Sequence, residues 1–501
     1  MVLKDGQPIS VTDTKTPMEV SNELQLSGVP LVDVIPCKEI KSHALASIRS
    51  PETNEDEDAD TDNESRAPIV LVAVVDKSGS MSGAKMNSLK DTLHFIIKEM
   101  TNRDRLAIVE YDTNVTVSLN LTKMNESGRQ QAKSVTDALK AGSATNLSSG
   151  LLEGLRLIPT DLDNKTVVST LLLTDGLANH GIRSTKGIIS MIQSNQTKGV
   201  GRCTINTFGF GKDHDASMLK EISDVAEGMY YFIENEDSIA SAFADCLGGL
   251  LSVSAQGIEL TIESCNGVTI EKVHALKPAN IVEPGKVYRI DIGDLQEGEE
   301  RDIPIDFTVP ESSACDDFEL LKFTVTYFDL KSESMKESST TIKITRGNEV
   351  KPANPKVDRH RNRVKSADAT EAAVALADKG NISEARELLQ NTINEIKASI
   401  SANDPLCISL VAGLQASLST MVDKISYRKE GQFQMNGYCK AWKMQRSNAV
   451  VSNANRSPVP MASMACQSSA MPSIPQPPEA SLFSFETKNK ARMKKKFTKK
   501  C

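Results

Sequence analysis

Residues 69–75, Ile-Val-Leu-Val-Ala-Val-Val, form an unbroken apolar run that ends in Asp76-Lys77-Ser78-Gly79-Ser80-Met81. A strand with one wet face would alternate polar and apolar side chains. A run without alternation predicts a central strand covered on both faces of a sheet. In open parallel sheets ligands bind at the carboxyl ends of such strands. Here that end carries a carboxylate and two hydroxyls at alternate positions. Hard oxygen donors on a turn that Gly79 lets bend suit a Mg²⁺-like ion.

Two further pieces match this one. Ala141 to Leu147 is a loop opening a helical stretch, with Thr145 as an oxygen donor. Val167 to Leu173 is a second apolar strand, followed by Thr174-Asp175-Gly176. Taken singly, each piece also fits a plain turn with hydrogen-bonded hydroxyls, and Thr145 also fits a helix cap. Together, in the order Asp-x-Ser-x-Ser, Ala-Thr-Asn, Thr-Asp-Gly, they resemble the metal-ion-dependent adhesion site of von Willebrand factor A domains. The resemblance implies metal ligation by Asp76, Ser78, Ser80, Thr145 and Asp175. Direct coordination falls to the serines and the threonine, and coordination by the aspartates is direct or through water. It also implies Mg²⁺, with Mn²⁺ or Ca²⁺ as substitutes, and one coordination position left for an acidic group of a partner.

The pattern along the chain predicts several parts. Residues 1–67 hold one or two strands near Asn22–Val34, then an acidic run from Pro51 to Glu64 too charged to fold alone. If the early strands pair, a later β domain is the expected host. Residues 68–252 alternate strands and helices, which predicts a doubly wound α/β domain. Residues 253–347 hold evenly spaced alternating strands, which predicts an all-β sandwich. Residues 358–428 have helical periodicity and predict a small bundle, with Asp404-Pro405 starting one of its helices. Residues 440–501 are rich in Ser, Pro, Asn, Met and Gln and read as a disordered tail with a basic end, Lys488 to Lys500. That end offers contact with nucleic acid, an anionic membrane or the acidic run, or serves only for solubility.

Composition narrows the function classes. A net charge of −8 argues against a nucleic-acid binder in bulk. The nine cysteines are scattered without a Cys-x-x-Cys pair, which fits free thiols in a reducing compartment. With no apolar leader at Met1–Gln7, the expectation is a soluble cytoplasmic protein. Phosphate loops, nucleophile elbows and spaced histidine ligands are missing from the sequence. His214, in Lys212-Asp213-His214-Asp215, invites a catalytic reading, but Asp215 or Ser217 as a helix cap explains that segment without one.

The domain order is similar to an intracellular group that joins a von Willebrand A domain to a module first described beside Hint domains. The stretch from Glu227 to Ser252 is also similar to plant RING-type ubiquitin ligases of the wavy-growth class. No Cys/His RING pattern precedes Pro68 and no self-splicing block follows Tyr427, so neither activity is carried over. The expectation is a non-enzymatic scaffold binding an exposed Asp or Glu of a protein partner through a held Mg²⁺, without a small-molecule substrate. The rival is a ubiquitin-system component, a ligase subunit or substrate adaptor.

Overall fold

The structure, a computed structural model, describes residues 23–52, 66–142, 144–195, 203–234, 236–349, 351–447 and 485–498. The acidic run from 53 to 64 and most of the expected tail lie outside them. The chain opens with strands β1 (Gln25–Pro30), β2 (Val34–Ile35) and β3 (Ile40–Arg49). An α/β unit follows: β4 (Ile69–Asp76), α1 (Ala84–Glu99), β5 (Arg105–Tyr111), β6 (Val115–Lys123), α2 (Glu126–Ala138), α3 (Leu147–Arg156), β7 (Val167–Thr174), α4 (Thr185–Asn195), β8 (Cys203–Phe210), α5 (Ala216–Val225), β9 (Tyr230–Ile233) and α6 (Glu236–Leu251). Its sheet runs β6-β5-β4-β7-β8-β9, with β6 antiparallel at one edge and the remaining neighbours parallel. β4 and β7 lie side by side in the middle, and every residue of both is buried. This is the doubly wound fold that the unalternating runs predict.

Strands β10 (Val253–Ser264), β11 (Thr269–Val273), β12 (Asn280–Glu283), β13 (Val287–Gln296), β14 (Glu300–Val309), β15 (Cys315–Asp329) and β16 (Ser334–Arg346) form a sandwich with the early strands. One sheet has the order β1-β3-β14-β11 and the other β12-β13-β10-β15-β16-β2. The early strands therefore find their host in the later β region, and the α/β unit is inserted between β3 and β10. Alternate side chains such as Ile48, Leu260, Phe307 and Phe323 fill the space between the sheets. Gly28 is needed in β1 because a Cβ there would lie 2.6 Å from the Phe323 ring.

Helices α7 (Pro355–Asp378), α8 (Ile382–Lys397), α9 (Pro405–Thr420) and α10 (Gln432–Met444) follow the sandwich. Asn354 and Asp404 cap α7 and α9, each with proline in the first turn. The helical region begins at Pro355 and runs to Met444, past the expected end at 428 and into the expected tail. It shares one apolar core with the α3–α5 face of the α/β sheet, where Phe433 stacks on Phe232 at 5.0 Å. Lys440 is wholly buried yet 2.6 Å from Asp224, which also takes Lys220 at 2.8 Å.

The basic end is a second departure from the expectation. Residues Lys488–Thr498 form helix α11, seated on α6 and α1 of the opposite face. The Phe497 ring packs on Phe95 at 4.2 Å. Lys490 and Lys494 reach the fully buried Asp245 at 3.1 and 3.3 Å. Buried carboxylates are tolerated when paired, and this pairing fixes the segment. Among the described residues no single helix is long and apolar enough to cross a membrane.

Candidate metal centre

The loops at the carboxyl ends of β4 and β7 meet the loop that opens α3. β4 delivers Asp76, whose side chain is 0% exposed. One Asp76 oxygen accepts the Ser78 N–H at 2.8 Å and the other accepts the Thr174 hydroxyl at 2.7 Å. Residues Gly79–Met81 make one 3-10 turn, which turns Ser78 and Ser80 to the same side, their hydroxyl oxygens 3.1 Å apart. Ser80 then donates to Asp175 Oδ1 at 2.7 Å. Lys85, in the first turn of α1, donates to Asp175 Oδ2 at 2.6 Å.

Thr145 closes the cluster from the third loop. The N–H of Thr145 donates to Asn179 Oδ1 at 2.9 Å, and its carbonyl accepts the Asn179 and His180 N–H groups at 3.2 Å. A Cβ on Gly176 would lie 3.6 Å from Thr145 Oγ1 and 3.9 Å from Ser80 Oγ, so both hydroxyls border the same small space. The cap of α3 is Asn146, which accepts from Ser149 N–H at 3.4 Å. Capping therefore does not account for Thr145. The loop is tied down by Gly142 N–H to Lys77 O at 2.5 Å and by Asn146 N–H to Asp112 O at 2.8 Å.

Thus the fold brings together Asp76, Ser78, Ser80, Thr145 and Asp175, the five residues that the resemblance singles out. Lys85 is the member that the sequence reading did not single out; its signal was a lysine one turn beyond Met81, at the start of the helix leaving the site.

The electrostatics are unbalanced. Burial lifts the Asp76 carboxyl above its ordinary range, and the charge of Asp175 adds to this against the hydrogen bonds from Thr174 and Ser78. Lys77, beside Asp76 in sequence, pairs instead with Glu110 at 3.2 Å. Two buried carboxylates and three hydroxyls are a hard-oxygen donor set with surplus negative charge, which fits a divalent cation. Among the described residues no group of three His, Cys, Asp or Glu side chains could hold a metal. A metal site among them would have to draw on hydroxyls, which this cluster offers.

His214 has a different role from the one its neighbourhood invites. It is buried between Phe232 and Phe433, with Nε2 2.8 Å from the Tyr230 hydroxyl. Asp215 is the cap of α5, accepting from Met218 N–H at 2.9 Å.

The geometry can now be set beside known proteins. Residues 71–245 match the family described as von Willebrand factor type A domain. Residues 354–470 match the family described as CPSF6-like, RSLD domain, N-terminal region. The E3 ubiquitin-protein ligase WAV3 of Arabidopsis thaliana is 31% identical over 257 residues, covering 50% of this chain and 32% of that one. Inter-alpha-trypsin inhibitor heavy chain H3 of Mesocricetus auratus is 28% identical over 163 residues, covering 31% of this chain and 18% of that one. The chain thus spans a third or less of these relatives.

A solved von Willebrand factor type A protein from Catenulispora acidiphila superposes with a TM-score of 0.63 at 15% identity. It covers 82% of this chain and 96% of its own, so the likeness of fold extends past the α/β unit. Von Willebrand A domains are typically non-catalytic, mediate protein–protein interactions and commonly bind divalent metals. Residues 71–245 of this chain form a von Willebrand factor A domain, with its Rossmann-like α/β fold.

Proposed function

We propose that this chain is a metal-dependent protein-binding scaffold. Ser78, Ser80 and Thr145 would hold a divalent ion, Mg²⁺ first among candidates, with Asp76 and Asp175 bound directly or through water. The bound ion would supply a positive centre for an Asp or Glu of the partner. The observation that carries the reading is the convergence of five oxygen-bearing side chains from three separate loops, two of them buried carboxylates. Leu177 and Ile182 are 58% and 42% exposed on the loop that follows Asp175. Such apolar side chains beside a polar centre suit a protein partner. Free cysteines, seven among the described residues, support a reducing cytoplasmic setting.

The test is capture of partners from lysate by the full chain, with Mg²⁺ and with EDTA, beside Asp76→Ala. Partners lost on chelation and in the variant support the reading. Partners indifferent to both would sink it.

The likeness to WAV3 favours a second reading, a ubiquitin-system adaptor or ligase subunit. Ubiquitin transfer by the purified chain with activating and conjugating enzymes tests ligase activity, and the expected result is no transfer. Ubiquitin-ligase subunits among the captured partners would support the adaptor form of this reading. Delivery to a membrane or nucleic acid by the basic end has less support, since Lys490 and Lys494 are engaged by Asp245.

A further inference from the structure

We propose that Lys85 is a built-in competitor of the divalent ion: its ammonium holds Asp175 until a metal displaces it, and so it sets how tightly the site takes a metal. This rests on the metal-site reading above. Asp175 is fully buried, and its two oxygens are divided between Ser80 at 2.7 Å and Lys85 at 2.6 Å. An ion that engages Asp175, directly or through water, competes with the ammonium for the charge of the same carboxylate.

The placement of Lys85 points the same way. It is the second residue of a 16-residue helix whose N-cap, Gly83, has φ +77°. A helix N-terminus carries partial positive charge, so a lysine there is disfavoured by its own helix. The contact with Asp175 offsets that. The Lys85 side chain is 34% exposed while Asp175 is 0% exposed. The lysine can therefore swing to water and keep its own charge hydrated once an ion takes its place at Asp175, whereas the carboxylate cannot move out. With two carboxylates and one ammonium the cluster holds net negative charge. A divalent ion reverses that sign, and repulsion then favours departure of the lysine.

A lysine that merely oriented Asp175 for the metal would behave in the opposite way. Removing it would weaken metal binding. Removing a competitor strengthens binding, so the sign of one measurement separates the two roles.

The experiment uses the full chain, wild type and Lys85→Met, which keeps most of the apolar stem; Lys85→Gln replaces it if the Met variant fails to fold. Mn²⁺ binding is followed by the EPR signal of the free ion and Mg²⁺ binding by calorimetry. The expected result is binding about tenfold tighter in the variant, or about 1.4 kcal/mol. In the wild type, an amine-reactive acetylating reagent with peptide mass spectrometry should label Lys85 more with Mg²⁺ than with EDTA, and equally in Asp76→Ala. Equal or weaker binding by the variant, beside a wild type that binds, overturns the competitor role and leaves the metal site standing. No saturable binding by either protein overturns the metal site and this inference with it.

Discussion

Asp76 and Asp245 are equally buried, both 0% exposed, yet burial ends differently at the two. At Asp245, on α6, two ammonium groups converge with the Ser447 hydroxyl at 2.7 Å and the Tyr231 hydroxyl at 3.0 Å. Burial pushes this carboxyl up, but Lys490 and Lys494 override it and the net direction is down. At Asp76 the partners are neutral donors, and the charge acting on it is a second carboxylate, Asp175. Burial prevails there and the net direction is up. Taking a carboxylate out of water costs several kcal/mol unless something compensates. On α6 the chain supplies the compensation itself. At the strand ends it supplies half, through Lys85, and leaves the remainder to something that binds. The first arrangement is a structural charge centre and the second has the character of a binding centre.

The largest effect should come from breaking the balanced centre. Lys490→Met with Lys494→Met leaves Asp245 buried beside two hydroxyls without its two ammonium partners. Stranding a buried charge costs about 3–5 kcal/mol, to be read as a lower urea midpoint. Asp245→Asn added to the double variant should recover a large part of the loss. If the double variant unfolds at the wild-type midpoint, Asp245 is not held by these lysines and the contrast fails.

A somewhat smaller effect comes from buried groups that stay neutral. Burial holds the His214 ring down to about 3, and His360, despite lying 3.3 Å from Asp302, is also held well below its ordinary 6.5. Both are neutral in the fold at pH 7. Below about 6.5 the unfolded chain takes up these protons and the folded chain does not. Stability is therefore lost as pH falls below 6.5, in the case of His214 down to about 3, by up to about 1.4 kcal/mol per unit for each ring. Urea midpoints at pH 7, 6 and 5 should show this fall, and His214→Gln should remove one ring's share of the slope. An unchanged slope in the variant would place the acid sensitivity elsewhere.

These centres were unequally legible in the sequence. The strands before Asp76 and Asp175 are readable because burial on both faces leaves no polar position to confuse the pattern. The donor residues follow immediately, so their meeting is a matter of neighbouring strand ends. The sandwich strands also show, through alternation, but pairing of Ile40–Arg49 with Glu300–Val309 spans the whole inserted α/β domain. That insertion has no local signature. Helix α10 was hidden by its own polar residues: Lys440 is buried only because Asp224, 216 positions earlier, is there to meet it. Helix α11 is masked in the same way. Its lysines look like a solvated tail until Asp245 is placed opposite them. The readable trace was the matched four-residue spacing of Lys490 with Lys494 and Met493 with Phe497, a charged stripe beside an apolar one.

The smallest effect probes the unbalanced centre, and its sign is the informative part. Asp76→Asn keeps one acceptor for the Ser78 N–H, and the Thr174 hydroxyl can rotate to accept from the new amide. It also removes one of two like charges. In EDTA the variant should therefore be as stable as wild type or about 1 kcal/mol more stable, because relief of repulsion and desolvation offsets a weakened hydrogen bond. The corresponding change at the balanced centre, Asp245→Asn alone, strands the buried Lys490, while Lys494 keeps Glu486 at 2.7 Å, and should destabilise. With millimolar Mg²⁺ the order should reverse: wild type gains stability as RT ln(1 + [L]/Kd), and Asp76→Asn gains little. Melting curves of both variants with and without the ion decide the matter. If Asp76→Asn is clearly less stable than wild type in EDTA, the strand-end carboxylate is already compensated within the chain, and the distinction between the two buried aspartates collapses.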